Sequence, residues 1–588
     1  MSTGILQYYQ EEMRYLQEAG ELFAQSHPDE ASLLNLGSLT DRDPYVERLF
    51  EGFAFLTARI RERLDDELPQ YTEGLLNLLW PHLLRPVPSL SVLEFRPIAG
   101  LVSTSTTIAR GAEVRSAPVG DDGTVCRFST TQEVRLQPFQ LVSAELGWPR
   151  SDCSTMTLRF RMGKGSEFAR LSPSPLRMYL HADRALASLL HLHLTRHVTQ
   201  IQLRASDSAT VTELTGQQWI TPGGFGEPDG VGDDALLPYS PHTFHGFRLL
   251  QEYLAFRQKF WFVDLLGLEQ LQATPKMTSF DVEIRFDRAL PQGKQIKAEQ
   301  IRLFCTPVVN LFSQDANPIR VDHRSSEYRV IGDLEQPRGV EVYDVLRVTG
   351  EEDGTRRRHT YQPYLATGRE PTRERWFTTT QRTRADGRRD TLLTLGGADA
   401  AALRPETVSL EVRCTNGSLP QERLREGMIR ELGPNVPRVA TVEMLVQPTG
   451  ILRAPVQNQR ELYWRLISHL SLGHRSLGSR DGLADLLTLY DWSDDAANRR
   501  RIAGIRSVTT RPREMVHRRA CIRGSETELE IGEEHFSDEG DVCLFGLVLS
   551  HVLRAYTTIN SFAHLAIVQV PSRSRYVWNA HRGAQAVL

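Results

Sequence analysis

At 588 residues, with 24% charged and 40% hydrophobic residues and a net charge of −4, the chain has the make-up of a soluble protein too long for a single core. Two to four domains are expected. The slight negative charge argues against a general nucleic-acid binder, which needs a basic face, and no apolar run approaches the ~18 residues of a membrane span. Six cysteines (Cys126, Cys153, Cys305, Cys414, Cys521 and Cys543) are scattered without a C-x-x-C pair, which fits a reducing compartment. The opening "MSTGILQYYQEEMRYLQ" lacks the charged and apolar regions of a signal peptide, so a cytoplasmic protein is expected.

Residues 5–25 read as an amphipathic helix with Tyr9, Met13, Leu16 and Phe23 on one face, followed by a turn at His27-Pro28. The stretch "DPYVERLFEGFAFLTARIRERLDDELPQYTEGLL" (43–76) then carries a complete helix start, with Asp43 as cap and Pro44 in the first turn. Val46, Leu49, Phe50, Phe53, Leu56 and Ile60 recur at three- and four-residue steps and form one apolar stripe. Glu47 and Glu51 near the start and Arg59, Arg61 and Arg63 near the end suit the helix dipole. Such a stripe fills a core of its own chain or meets a partner's helix, and the spacing alone does not distinguish the two. Pro69 breaks the chain, and "TEGLLNLLW" forms a short helix from Thr72 that Pro81 stops.

From "LRPVPSLSVLEFRP" to about residue 440 the signals are strands and turns. "MTLRFRM", "FDVEIRF", "QIRLFCTPVV", "EYRVIG" and "VSLEVRCTN" read as strands, and "QRTRADGRRDTLLTL" as a hairpin turning at Asp386-Gly387. One helix, "ADRALASLLHLHLTRH", interrupts them, and the loop "TPGGFGEPDGVGDD" (221–234) reads as a boundary or exposed connection. Beyond residue 441, "ELYWRLISHL" and "DGLADLLTLYDW" read as helices, "RACIRGSETELEIG" as strand, and "CLFGLVLSHVLRAYTTINSF" as a long closing helix. The expected fold is α+β and multidomain. A helical bundle-forming region (1–88) precedes an antiparallel β-rich middle, divided into 89–220 with one inserted helix and 221–440, and a mixed α/β domain (441–588) ends the chain.

Chemistry is sparse. His191, His193 and His197 suggest metal, but on a helix only His193 and His197 share a face and no carboxylate or Cys completes a set, so they read as polar helix positions. "RMGKGSEF" lacks the pattern of a phosphate loop and reads as a turn, and "GEEHF" as a solvated turn. The Arg-rich run from Arg356 to Arg389 is interleaved with acids and strand patterning, as on a solvated hairpin. No nucleophile, base and oxyanion hole assemble, and no catalytic, metal or cofactor site is expected. A metal-dependent hydrolase built on the histidines or on Asp65/Asp66, and a secreted effector, are the rival readings.

Several blocks, read together and in order, resemble the TssF (VasA/ImpG) family of type VI secretion baseplate wedge subunits. They are "YYQEEMRYLQEAGELFAQSHP", "DPYVERLFEGFAFLTARIRERLDDELP" and "LLNLLWPHLLRPVPS" near the start, then "LLPYSPHTFHGFRLLQEYLAFRQKFWFVDLLGL", "FCTPVVNLF" and "CTNGSLP", and finally "WRLISHLSLGHRSL" and "YTTINSF". Arg257-Gln258 stands where the family often has Pro-Glu, and Gly473-His474 where Asn is common. The resemblance implies a non-enzymatic cytoplasmic scaffold without cofactors. Its implied partners are TssG (about two TssF copies for each), TssK, TssE and the VgrG spike, in a baseplate that docks on the inner-membrane complex and supports Hcp tube and sheath polymerisation. Neither nucleic acid nor membrane insertion is implied. On that reading Tyr9, Met13, Leu16, Phe23, Val46, Leu49, Phe50, Phe53 and Ile60 are the candidate partner interface, and the aromatic "EYLAFRQKFWFVDL" is either a further anchor or a buried segment.

Overall fold

The computed structural model describes residues 3–26, 44–59, 76–77, 80–454, 466 and 477–583, apart from 46, 121, 209, 227–232, 241–242, 275–276, 323, 337, 355, 365–374, 385–387, 398–404, 518–519 and 559. Its contacts divide the chain into two units, Met1–Leu79 with Pro455–Leu470, and Trp80–Ala454 with Ser471–Leu588. In the first, the described residues form α1 (Thr3–Ser26) and α2 (44–59, residue 46 apart), where the apolar spacing placed them. The His27-Pro28 turn, the Asp43 cap, and most of the helices expected at 72–80 and 461–470 lie outside the described residues.

The second unit is mixed α/β and strand-rich, with several sheets. A six-stranded antiparallel sheet runs in the order Ile429–Leu432, Glu113–Val119, Thr124–Thr130, Cys305–Val309, Leu90–Pro97, Ala440–Met444. A five-stranded sheet centres on Ser279–Phe286, and a four-stranded one contains Leu176–Leu180 and Phe262–Leu265. Their inward residues share one large core, while an eight-stranded sheet around Glu341–Glu352 and Glu406–Thr415 has its own. Strict alternation in Ser279–Phe286, with Phe280, Val282, Ile284 and Phe286 buried, is the two-residue period at work. "QIRLFCTPVV", expected as one strand, is two. Phe304 adopts φ 54° and sends Ile301–Leu303 into the four-stranded sheet and Cys305–Val309 into the six-stranded one.

Two polar residues from separate blocks tie sheets together. The Asn310 amide donates to Asn416 Oδ1 at 2.7 Å, and the Asn416 backbone N–H and Thr415 hydroxyl donate to Asn310 Oδ1 at 2.7 Å each. Both asparagines are buried, so each bond replaces hydration that burial removed. The glycine-rich loop is likewise held at its described ends rather than left in solvent. Asp234 is buried, pairs with Arg177, and accepts from the Gly224 and Gly226 N–H groups.

Towards the C-terminus, α3 (Arg184–Arg196) and α4 (His245–Ala255) from the β-rich stretch meet a helix, Glu539–Ala555 (α7), that follows α5 (Arg480–Tyr490) and α6 (Ala496–Ala503) in the chain. Helix α7 (Glu539–Ala555) starts at the Asp538 cap and is buried almost all round. Gly246 and Gly540 allow its close crossings: a Cβ at Gly246 would collide with the His551 carbonyl oxygen, and one at Gly540 with that of Ser188. This helix does not close the fold as expected. It ends at Ala555, and the apolar run Phe562–Val570 follows as a strand parallel to Ala520–Gly532, so α7 is the crossover of a β-α-β unit.

Candidate functional site

The candidate partner interface expected from the sequence lies on α1 and α2. On α2, Tyr45, Leu49, Phe53 and Leu56 are 82%, 62%, 59% and 58% exposed, whereas Ala54 and Ala58 are fully buried. At 100° per residue the four large side chains fall on one side of the helix and the two alanines on the other. The apolar stripe therefore faces outward and the small face inward. Leu49 and Phe53 are not core residues of this chain, and Phe50 at the margin is half-buried. On α1, Tyr9, Met13 and Leu16 are half-buried and Phe23 is 41% exposed. Burial raises the Tyr9 phenol's pKa, and the Glu51 carboxylate on α2 raises it further. Val46 and Ile60 lie outside the described residues. Tyr45, absent from the sequence-based set, was legible as the residue four before Leu49.

The aromatic segment is core and not a further anchor. Phe256, Phe260 and Phe262 are buried, because the 3₁₀ turn Arg257–Phe260 carries the chain from α4 directly into the strand Phe262–Leu265. Charges are buried with them. Lys259 donates to Glu252 with both side chains inaccessible, and burial lowers the lysine's pKa while Glu252 opposes that shift. Arg257, at the position departing from the family pattern, donates to Asp541 on α7, and Arg501 on α6 donates to both Asp541 oxygens at 3.0 Å. One carboxylate thus joins three segments remote in sequence.

Two of the three histidines read from the sequence as polar helix positions are core residues. His191 and His193 are buried in the faces of α3, because that helix packs on α7 as well as on strands. His193 Nδ1 donates to the Leu189 carbonyl at 2.9 Å, and His197 Nδ1 lies 2.8 Å from Asp287 Oδ1. Burial lowers the His191 pKa to about 4. Among the described residues no group of three His, Cys, Asp or Glu is placed to hold a metal, and Asp65/Asp66 lie outside them. The Arg-rich run does form strands, with Trp376–Thr383 pairing Arg389–Gly396 on either side of the expected turn. No helix among the described residues is long and apolar enough to cross a membrane.

Comparison with known proteins bears on the whole chain. A family model for the type VI secretion system protein TssF matches residues 1–585. The chain is 32% identical over 636 residues to the type VI secretion system component TssF1 of Pseudomonas aeruginosa PAO1, covering all of both. It is similar to a chain in the cryo-electron microscopy structure of the TssK-TssF-TssG baseplate subcomplex, with 31% identity and a TM-score of 0.77 over 92% of this chain and 99% of that one. A chain of the type VI secretion baseplate complex matches with 30% identity and a TM-score of 0.65, over 99% of this chain and 100% of that one. With matches of this extent in sequence and in three dimensions, the chain belongs to the TssF family of type VI secretion baseplate proteins.

Proposed function

We propose that this chain is a non-enzymatic wedge subunit that works by presenting helical surface to other baseplate proteins. The observation that carries this reading is the outward stripe Tyr45, Leu49, Phe53 and Leu56. Large apolar side chains clustered on one exposed helix face mark an interaction site, and a single helix offers them as i, i+4 anchors for a partner helix. Helix α1 extends that surface through Tyr9, Met13, Leu16 and Phe23, so that residues 1–88 act as the bundle-forming region. The helices it meets are those of TssG and of a second copy of this chain. TssK and TssE complete the wedge around the VgrG spike, and the assembled baseplate docks at the inner membrane and supports Hcp tube and sheath growth.

Co-expression with the TssG protein of the same secretion cluster tests the reading. Light scattering on the eluted species is expected to give about two copies of this chain per TssG, with more than ~1,000 Å² buried at a specific interface. A monodisperse chain that elutes alone in the presence of TssG would contradict it.

A further inference from the structure

A cleft of about 740 Å³ opens in the second unit, between the end of the strand Leu90–Pro97 and two edge strands, Phe139–Gly147 and Ile301–Leu303. Its volume lies within the range of ligand and anchor pockets. The floor is aromatic, lined by Phe95, Phe139 and Phe304, with the last two ring centroids 6.2 Å apart. Phe304 is the residue held at φ 54°, a conformation that a bulky side chain adopts only where its surroundings enforce it. Ile98, 37% exposed, stands on the wall, and Leu101, 59% exposed, follows in the same loop.

Charge at the mouth sorts into two sets. Arg96 and Arg302 both face Glu94, and Arg96 also pairs with Glu443, so these cations are already neutralised. The side chains of Arg161 and Lys164 are exposed and have no ion-pair or hydrogen-bond partner among the described residues, against one such carboxylate, that of Glu299. The uncompensated charge beside the apolar floor is therefore positive. The edge strand Phe139–Gly147 pairs on one side only, leaving backbone groups that an extended chain can meet.

We propose that this cleft docks an acidic, extended segment of a partner baseplate subunit, with an apolar side chain on the Phe95–Phe139–Phe304 floor and carboxylates against Arg161 and Lys164. The inference rests on the reading of the chain as an assembly subunit, but it uses a surface other than the α2 stripe. The test is a photo-crosslinking amino acid at Ile98 in the full chain, purified with TssG and TssK, with the cross-linked segment identified by mass spectrometry. Co-elution of the same preparation reports separately on whether the chain assembles at all. The expected adduct is to a partner segment rich in Asp and Glu, and Arg161→Glu with Lys164→Glu lowers its yield about tenfold while circular dichroism stays unchanged. No adduct in an assembled complex, an adduct to a basic or uncharged segment or to this chain itself, or a yield indifferent to the charge reversal would overturn the proposal.

Discussion

Asp541 shows what a single residue holds in place. Its carboxylate accepts from Arg257 and Arg501, all three nearly inaccessible to solvent. Asp541→Asn leaves two buried cations without their counter-ion, and breaking a buried pair in this way costs about 3–5 kcal/mol. Urea unfolding followed by circular dichroism should show that loss, whereas Arg573→Ala, at an exposed pair with Glu530, should change the midpoint little. The buried histidines set a pH dependence. Burial, reinforced by nearby Arg and His side chains, lowers His245 to about 2 and His551 to about 3, and burial with Arg85 lowers His82 to about 3. Between those values and the ordinary ~6.5 the unfolded chain binds protons that the folded chain does not, so stability falls as pH drops through that window. Each such histidine contributes about 2 kcal/mol of destabilisation at pH 5 relative to neutral pH. Denaturant midpoints should therefore decline steadily from pH 7 to pH 5, and a flat profile would show that these side chains are solvated. None of this was legible from spacing, because whether a helix is covered on one face or two depends on elements distant in sequence, as the burial of His191 and His193 by α7 illustrates.

At the scale of the element, α2 separates what sequence states from what only packing states. The three- and four-residue steps located the helix and its stripe, but its outward direction came from Ala54 and Ala58, whose small side chains take the buried face. Phe53→Asp should thus leave circular dichroism and melting close to those of the parent chain, since the position is already solvent-facing. It should nonetheless abolish co-purification with TssG, because an unpaired carboxylate in an apolar contact costs several kcal/mol and ~1.4 kcal/mol is already tenfold in affinity. Aggregation of the variant would instead assign Phe53 to a core. Strands were read correctly where alternation was strict, as in Ser279–Phe286. Two readings failed for opposite reasons. Continuous strand character hid the change of sheet at Phe304, a backbone event that no side-chain period records. Continuous apolar character hid the end of α7, since a buried helix and a buried parallel strand are both hydrophobic throughout.

Across the whole molecule, the ordered blocks that resemble TssF were the most informative signal, and several prove to be structural joints. Asn310 of "FCTPVVNLF" and Asn416 of "CTNGSLP" bond one another, while "FRLLQEYLAFRQKFWFVDL" threads helix, turn and strand through the core. Removing the joint by Asn310→Ala leaves the buried Asn416 backbone N–H and the Thr415 hydroxyl short of partners, with an expected loss of about 1–3 kcal/mol for each group left unsatisfied. Differential scanning calorimetry should register it as a lowered transition for the second unit. The surface proposed to meet partners is on α2, where four large apolar side chains are exposed. Hydroxyl-radical footprinting of Tyr45, Leu49, Phe53 and Leu56, in the chain alone and in its complex with TssG, tests that claim most directly. Strong modification of all four is expected in the free chain and strong protection in the complex, with Leu334, exposed on the second unit, modified equally in both. Equal modification of the four α2 residues with and without bound TssG would contradict it.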